Sequence, residues 1–315
     1  MNEFAIIKKY FSKLSRKNKN SLGLTDDIFF DYKKKIGISI DTYVEKIHFI
    51  NFKHPNLVIK KTLRSSISDL ISKGVIPQYY FISFSGNKKH LTRGNLKKIF
   101  TALNKEQKKY NITLSGGDTS FSDRLSITIC TTGYSKNYPI LRSGAKLNDD
   151  IYITNTLGDP YLGLNILKKK INLGKRNNNY FINKFFLPSL PVKFSKKMHY
   201  FANSSIDVSD GLFQDLKHIL LNSNLSSEIF VNKIPISRNL NSYIIQNKKT
   251  KLKFISNGDD YQILFTANKS KRNLIKNHAY TLNLAEIAVH VGKNGTLYLS
   301  QGRHRLTFAR LLNER

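Results

Sequence analysis

The sequence has 315 residues, of which 40% are hydrophobic, and it carries a formal net charge of +31. A chain of this length is typical of two domains with buried cores. No apolar run approaches the ~18 residues of a membrane span, and no secretory signal pattern is recognisable, so we expect a cytoplasmic protein without a membrane partner. The single cysteine, Cys130, excludes an internal disulfide and any metal site built from several cysteines.

The positive charge raises the question of nucleic acid as a partner, because basic patches attract phosphate backbones. The lysines are spread over the whole chain, whereas a nucleic-acid-binding protein concentrates Lys and Arg on one stripe with aromatic residues between them. The densest basic stretch lies at residues 168–179, and we predict a polar loop at 171–180. We therefore do not expect nucleic acid as the main partner. A basic nucleic-acid-binding protein on a decayed enzyme scaffold stays the alternative from another class.

Helices and strands alternate in the first half of the sequence. Apolar residues at helical spacing predict helices at residues 3–14, 57–73 and 94–109, the first of them packed on the core. Alternating residues predict strands at Ile36–Ile40 and from Leu125 to Thr132. This order is typical of an α/β domain, which we place at residues 1–137.

A turn-rich linker begins at residue 138 and marks the domain boundary, so we assign residues 138–315 to a second α/β domain. Arg142 lies in this linker between a proline and a glycine, where a guanidinium can fork onto phosphate oxygens. A plain surface arginine is equally compatible with the sequence. Further on, a short strand gives way to a helix at Ser209-Asp210, and one of these two residues is the expected N-cap.

Between two predicted strands lies the turn Gly116-Gly117-Asp118. Adjacent glycines leave backbone N–H groups uncovered, so that an anion can approach closely, and the aspartate can hold the metal ion that such an anion carries. The same tripeptide occurs in ordinary hairpins. The motif therefore points to a phosphate site only in the company of others.

Nine of the 21 acidic residues lie beside Gly, Ser or Thr at predicted turns or strand ends. They are Asp26, Asp27, Asp41, Asp69, Asp118, Asp207, Asp210, Asp259 and Asp260. The sequence places no obvious cation beside each of them, so gathered carboxylates would repel each other unless counter-ions intervened. Hard oxygen ligands without His or Cys clusters favour Mg²⁺ over Zn²⁺. The pattern therefore predicts several Mg²⁺ ions that hold a polyphosphate.

Seven blocks of the sequence occur in an order that matches one known family. They are Gly23-Leu-Thr-Asp26-Asp27, Ser39-Ile-Asp41-Thr42 with His48-Phe49, Ser68-Asp69-Leu70 with Gly74, Gly116-Gly117-Asp118-Thr119, Leu141-Arg142-Ser-Gly-Ala-Lys146, Ile206-Asp207-Val-Ser209-Asp210-Gly211-Leu212 and Asn257-Gly258-Asp259-Asp260-Tyr261. The chain thus resembles the thiamine-monophosphate kinase family from its first helix to about Gly295. The resemblance implies the two-domain α/β (α+β) fold of the aminoimidazole ribonucleotide synthetase-like superfamily. In that fold the N-terminal strands form a barrel in a homodimer, and the C-terminal domain closes over the nucleotide.

The resemblance also implies an enzyme that uses ATP to convert thiamine monophosphate into thiamine diphosphate. Carried over position by position, the implied Mg²⁺ ligands are Asp27, Ser39, the Ile40 main chain, Asp41, Asp69, Asp118, Asp207 and Asp210. The implied ATP contacts are Gly116, Gly117, Arg142 and Ser209, and the implied thiamine phosphate contacts are His48 and Asp259. Asp118, Arg142 and Asp210 are the implied catalytic residues. Because a phosphate monoester is largely ionised at neutral pH, we expect direct transfer without a phosphoenzyme.

The sequence departs from the family pattern in four places. Thr25 stands in place of a glycine, Ser66 in place of an asparagine and Asp259 in place of a glutamate. The chain also has no Trp for the thiamine, which leaves Phe308 as the aromatic residue near the C-terminus. Another ATP-using enzyme of the same superfamily, with a different phosphate acceptor, is the nearest alternative function.

Overall fold

The computed structural model describes residues 3–278, 284–292, 297–301 and 304–307 of the chain. The first half forms a five-stranded sheet. Its strands are β1 (Phe29–Asp31), β2 (Ile36–Val44), β3 (Ile76–Gly86), β4 (Thr113–Phe121) and β5 (Ser126–Tyr134). Their order is β1-β2-β5-β3-β4, and neighbours run antiparallel except β3 and β4, which are parallel. Alternate residues of the central strands are buried, as expected where helices cover one face.

Four α-helices belong to this half of the chain. They are α1 (Glu3–Ile6), α2 (Ser12–Ser15), α3 (Pro55–Ser72) and α4 (Arg93–Tyr110). A π-helical turn, Ile7–Phe11, joins α1 to α2, so the predicted N-terminal helix exists with a distorted middle. Its predicted packing on the core is wrong, because no residue from Ile7 to Ser15 is buried and Leu14 is 84% exposed.

The second half forms a seven-stranded sheet. Its strands are β6 (Asp150–Thr154), β7 (Ala202–Asp207), β8 (Ser226–Phe230), β9 (Ile263–Ala267), β10 (Leu284–Gly292), β11 (Leu297–Gln301) and β12 (His304–Thr307). Their order is β12-β11-β8-β10-β6-β9-β7, with β8 and β11 parallel and the other neighbours antiparallel. The helices of this half are α5 (Asp159–Leu167), α6 (Gly174–Phe186), α7 (Val192–Ser195), α8 (Leu212–Ser223), α9 (Arg238–Gln246), α10 (Leu252–Ile255) and α11 (Arg272–His278).

Helix α6 replaces the polar loop predicted at residues 171–180, so that prediction is wrong. Its first turns are rich in Asn, which has a low helix propensity. Phe181 and Phe185, four residues apart, are nevertheless buried on one face of the helix. Burial of this aromatic face outweighs the local preference of the asparagines.

Helix α3 is the central element of the fold, because it contacts strands of the five-stranded sheet, strand β7 and helices α6 and α7. It begins with Pro55 in the first turn, where the missing N–H has no cost. Fourteen of its 18 residues are buried. The helix ends before Gly74, which has a φ of +73°, a backbone conformation that favours glycine. A Cβ at this position would also lie only 2.3 Å from His199 Nε2. Among the described residues, no helix has the length and apolar character that crossing a membrane requires.

Candidate active site

Three aspartates from distant parts of the chain meet beside α3. Asp27 precedes β1, Asp69 lies near the end of α3, and Asp207 ends β7. One carboxylate oxygen from each lies within 4.8 Å of the other two. We call these three residues the aspartate group. Asp69 belongs to α3 in the first half of the chain and Asp207 to β7 in the second half, which packs on α3, so the packing of the two halves assembles the group.

Strand β2 adds two further polar side chains to this place. The Ser39 hydroxyl donates a hydrogen bond of 2.5 Å to Asp69 Oδ2. Asp41 lies two residues along the same face of the strand, where the Ser65 hydroxyl of α3 lowers its pKa and so opposes part of the effect of burial. The intervening Ile40 side chain is exposed on the opposite face, so only its main chain faces this region.

The carboxyl groups on this side of the site lack compensating charge. Burial raises the pKa of Asp207 to about 7, and the negative charge of Asp27 contributes. Burial likewise raises the pKa of Asp41 to about 6 and that of Asp69 well above its usual value, the latter also because Asp41 and Asp207 are close. Among the described residues, the buried Asp207 Oδ2 has no hydrogen-bond partner. Buried carboxylate and hydroxyl oxygens with uncompensated negative charge fit a hard divalent cation such as Mg²⁺.

The other side of the site has built-in cations, contrary to the expectation from sequence. The Lys73 ammonium is fully buried, 2.8 Å from Asp26 Oδ1 and 2.6 Å from Asp27 Oδ2. The Arg142 guanidinium contacts Asp27 Oδ1. The backbone N–H of Arg142 donates a hydrogen bond to Asp26 Oδ2 at 2.9 Å. Burial alone would raise the pKa of Asp27, but the two cations outweigh it and lower the pKa to about 2. Asp27 therefore stays ionised with part of its charge balanced.

The predicted turn at Ser209-Asp210 leads from β7 into α8, but its N-cap differs from the expectation. Asp215, one turn into the helix, accepts hydrogen bonds from the backbone N–H groups of Asp210 and Gly211 at 3.1 and 3.0 Å. Capping by Ser209 or Asp210 is thus a wrong prediction. The Asp210 side chain is exposed and accepts a hydrogen bond from Gln214. It is therefore left open to solvent at the rim of the site.

His48 and Asp259, the two residues expected to face the thiamine phosphate, interact electrostatically. The Val44 backbone N–H donates to His48 Nδ1 at 3.0 Å, which leaves Nε2 as the proton-bearing nitrogen of the neutral ring. Partial burial lowers the pKa of His48, and the charge of Lys61 adds to the decrease. The negative charge of Asp259 opposes this decrease in the His48 pKa. Asp259 also forms an ion pair with Lys61, with 2.7 Å between Oδ1 and Nζ. Lys61 lies outside the sequence motifs described above.

Asp118, Gly116 and Gly117 lie apart from the aspartate group. They lie inside β4, an edge strand of the five-stranded sheet, so the turn predicted at Gly116-Gly117-Asp118 is wrong. All nine residues of this strand are exposed. In the register with β3, Gly117 lies beside Ile82 and Asp118 beside Ser83. A Cβ at Gly117 would lie 1.9 Å from the Ile82 carbonyl oxygen, so this position requires glycine. Phe308, expected near the thiamine, lies outside the described residues.

Comparison with known proteins gives consistent matches. Residues 25–135 match the family model "AIR synthase related protein, N-terminal domain". The chain is 38% identical over 285 residues to thiamine-monophosphate kinase from Buchnera aphidicola subsp. Acyrthosiphon pisum, which covers 87% of this chain and 85% of that protein. The kinase from Buchnera aphidicola subsp. Schizaphis graminum is 36% identical with the same coverage.

A solved structure, AaThiL complexed with AMPPCP and TMP, superposes on this chain with a TM-score of 0.84 at 25% sequence identity. The superposition covers 97% of this chain and 96% of that one. A second structure, thiamine monophosphate kinase from Aquifex aeolicus, gives a TM-score of 0.80, also at 25% identity. The similarity therefore extends over both sheets.

Proposed function

The chain belongs to the thiamine-monophosphate kinase family, and we propose that the aspartate group is the centre of its active site. The enzyme transfers a phosphoryl group from ATP to thiamine monophosphate, which gives ADP and thiamine diphosphate. The observation that carries the proposal is the convergence of Asp27, Asp69 and Asp207 within 4.8 Å. A site that joins two polyanions needs such a concentration of metal-binding oxygens.

We propose that these oxygens and their neighbours hold Mg²⁺. The proposed ligands are Asp27, Ser39, the Ile40 main chain, Asp41, Asp69, Asp118, Asp207 and Asp210. When bound, Mg²⁺ neutralises the phosphates of both substrates and so lowers the repulsion between them. The raised pKa values of Asp41 and Asp207 support this assignment. Both carboxylates have lost hydration through burial, and too little positive charge lies nearby to offset that loss.

ATP is proposed to extend from the aspartate group, near Arg142 and Ser209, towards the edge strand β4, which carries Gly116 and Gly117. Its proposed contacts are Gly116, Gly117, Arg142 and Ser209, with Asp118, Arg142 and Asp210 as the catalytic residues. Arg142 is well placed to hold phosphate oxygens, because its pairing with Asp27 fixes the guanidinium at the edge of the aspartate group. Ser209 lies at the turn between β7 and α8, next to the exposed Asp210 carboxylate.

Thiamine monophosphate is proposed to bind at His48 and Asp259. The neutral His48 ring keeps its Nε2–H available to donate a hydrogen bond, because Nδ1 already accepts from Val44. Asp259 keeps part of its carboxylate exposed while Lys61 holds one oxygen. A phosphate monoester has its second pKa near ~6, so the attacking oxygen is already ionised at neutral pH. No protein base is needed, and the residues act by positioning the two phosphates for direct in-line transfer.

We also propose that the enzyme is a homodimer. The face of the five-stranded sheet opposite α3 exposes apolar side chains, among them Ile40 at 68% and Phe81 at 40% exposure. The adjoining edge strand β4 ends with Phe121, which is 74% exposed. An apolar face that continues into an unpaired sheet edge is suited to a second copy of the same chain. Such a dimer would bury β4 and the Gly116-Gly117-Asp118 motif at or near its interface.

The domain boundary is proposed between residues 137 and 138, in the connection from β5 to β6 that joins the two sheets. A cytoplasmic location is proposed because both substrates are polyanions, for which passage through a bilayer is costly.

The function is tested by incubating the purified protein with Mg·ATP and thiamine monophosphate, and by following thiamine diphosphate over time. Asp118→Asn serves as the variant and Asp123→Asn, a nearby exposed aspartate, as its matched control. We expect product from the wild type and the control and a large loss in Asp118→Asn. No product from the wild type would overturn the proposed site chemistry, and full activity of Asp118→Asn would remove that residue from the site.

A further inference from the structure

A buried ion pair joins the two halves of the chain beside the proposed substrate site. Lys61, in the middle of α3, places Nζ 2.7 Å from Asp259 Oδ1. Its side chain is 1% exposed, whereas that of Asp259 is 29% exposed. The ammonium also lies 3.3 Å from the ring centroid of Phe185 in α6. A buried lysine keeps its charge only with a partner, and Asp259 is that partner.

Lys61 shares one face of α3 with two residues that already belong to the site. Lys61, Ser65 and Asp69 follow each other at intervals of four, so their side chains line one stripe of the helix. The Ser65 hydroxyl lowers the pKa of Asp41, and Asp69 accepts a hydrogen bond from Ser39. The stripe thus extends from the aspartate group at one end to Asp259 at the other.

The turn that carries Asp259 depends on its surroundings for its shape. Asp259 and Tyr261 both have left-handed backbone conformations, with φ of 69° and 51°, which are unfavourable for residues with a side chain. The backbone N–H of Asp259 donates to the Ser209 carbonyl at 2.9 Å, and that of Tyr261 donates to the Val208 carbonyl at 2.8 Å. These bonds fasten the turn to the strand end that bears Asp207.

Side chains from the first half of the chain hold the same turn from the other side. The Tyr43 and Tyr261 hydroxyls form a hydrogen bond, and both rings are buried. Tyr261 OH also donates to Asp259 Oδ1 at 3.3 Å. Lys61 therefore adds a charged contact to the polar contacts that orient this carboxylate.

We propose that Lys61 is a positioning residue for thiamine monophosphate. By holding Oδ1 of Asp259, it presents the exposed remainder of the carboxylate to the substrate and keeps the turn against α3. This inference rests on the proposed role of Asp259 in substrate binding. It assigns to Lys61 no contact with the substrate itself, since the side chain is buried.

The test compares Lys61→Met with Lys60→Met. Lys60 is the neighbouring lysine on α3, and it faces Glu106 at 3.6 Å instead of the site. Steady-state kinetics with each substrate varied in turn separate the effects. We expect the KM for thiamine monophosphate to rise about tenfold to a hundredfold in Lys61→Met, the range for losing one contact between charged groups. The KM for ATP should change less than about twofold, and Lys60→Met should resemble the wild type.

Two further variants keep the inference falsifiable. Lys61→Arg keeps the positive charge, so its KM for thiamine monophosphate should lie between those of Lys61→Met and the wild type. In an Asp259→Asn background, Lys61→Met should add little, because Lys61 acts through Asp259. Equal changes in both KM values, or full additivity of the two substitutions, would overturn the inference. An inactive wild type would instead indicate failure of the proposed function, and thermal unfolding with ATP binding would show whether each variant is folded.

Discussion

Replacing Lys73 by methionine tests whether its buried ammonium stabilises the fold. Nζ lies 2.8 Å from Asp26 Oδ1, 2.6 Å from Asp27 Oδ2 and 2.5 Å from the Ser205 carbonyl. With an effective dielectric constant of ~20, the Coulomb attraction to each carboxylate is about 6 kcal/mol. Lost hydration offsets several kcal/mol of this for each ion. Removing one partner of a buried pair nevertheless costs about 3 to 5 kcal/mol, because the other charge stays buried.

We expect the lower end of this range, about 3 kcal/mol, because Arg142 still pairs with Asp27 in the variant. Thermal unfolding in Mg²⁺-free buffer measures the effect. An unfolding entropy of about 2.1 cal/mol/K per residue gives about 1.5 °C per kcal/mol for 315 residues, so the Tm should fall by about 4 to 5 °C. Lys97→Met, an exposed position on α4, is the control and should change the Tm by less than about 2 °C. Adding Asp26→Asn to Lys73→Met should recover part of the loss, since one unpaired charge is removed. A loss no larger than that of the control would refute the reasoning.

Three other predictions concern the metal ions, the dimer and the transfer step. Because the pKa values of Asp207 and Asp41 are raised from 3.8 to about 7 and about 6, the native state binds more protons than the unfolded state between about pH 4 and 7. Without Mg²⁺, the contribution of these groups to the free energy of unfolding should therefore fall as pH rises through this range. Thermal unfolding should show more stabilisation by Mg²⁺ at pH 8 than at pH 5. Equal stabilisation at the two pH values would contradict the assignment. Phe81→Lys, on the exposed sheet face, should convert the dimer into a monomer in analytical ultracentrifugation, whereas Leu14→Lys should leave the dimer intact. A dimeric Phe81→Lys variant would exclude this face as the interface. Transfer of a thiophosphoryl group of defined chirality should proceed with inversion, because a single in-line displacement inverts the phosphorus, and retention would indicate a phosphoenzyme.

The family resemblance placed Asp27, Asp69 and Asp207 among eight implied Mg²⁺ ligands, and the structure brings these three together. The α/β fold followed from hydrophobic spacing and from the family resemblance. The edge position of Asp118 did not follow, because strand order depends on contacts between distant segments.

The buried lysines show the limit of such prediction. Lys73 lies at the end of α3, where lysine is normally solvated and interacts with the helix dipole. Lys61 lies four residues before Ser65 and eight before Asp69, which places all three on one helix face. Local sequence nevertheless does not show which face of α3 the second half of the chain covers. Only the packing of β7 and α6 onto this helix buries both ammonium groups. Helix α6 was missed for a similar reason, since Phe181 and Phe185 gain their burial from tertiary contacts.

We propose that the aspartate group holds divalent cations on which both substrates assemble. The most direct test of this proposal is to count bound Mn²⁺ by electron paramagnetic resonance in the presence of a non-hydrolysable ATP analogue. We expect Asp207→Asn to bind fewer ions than the wild type and to form no thiamine diphosphate, while Asp123→Asn matches the wild type in both. An Asp207→Asn variant that is folded and retains the full number of ions would contradict the account.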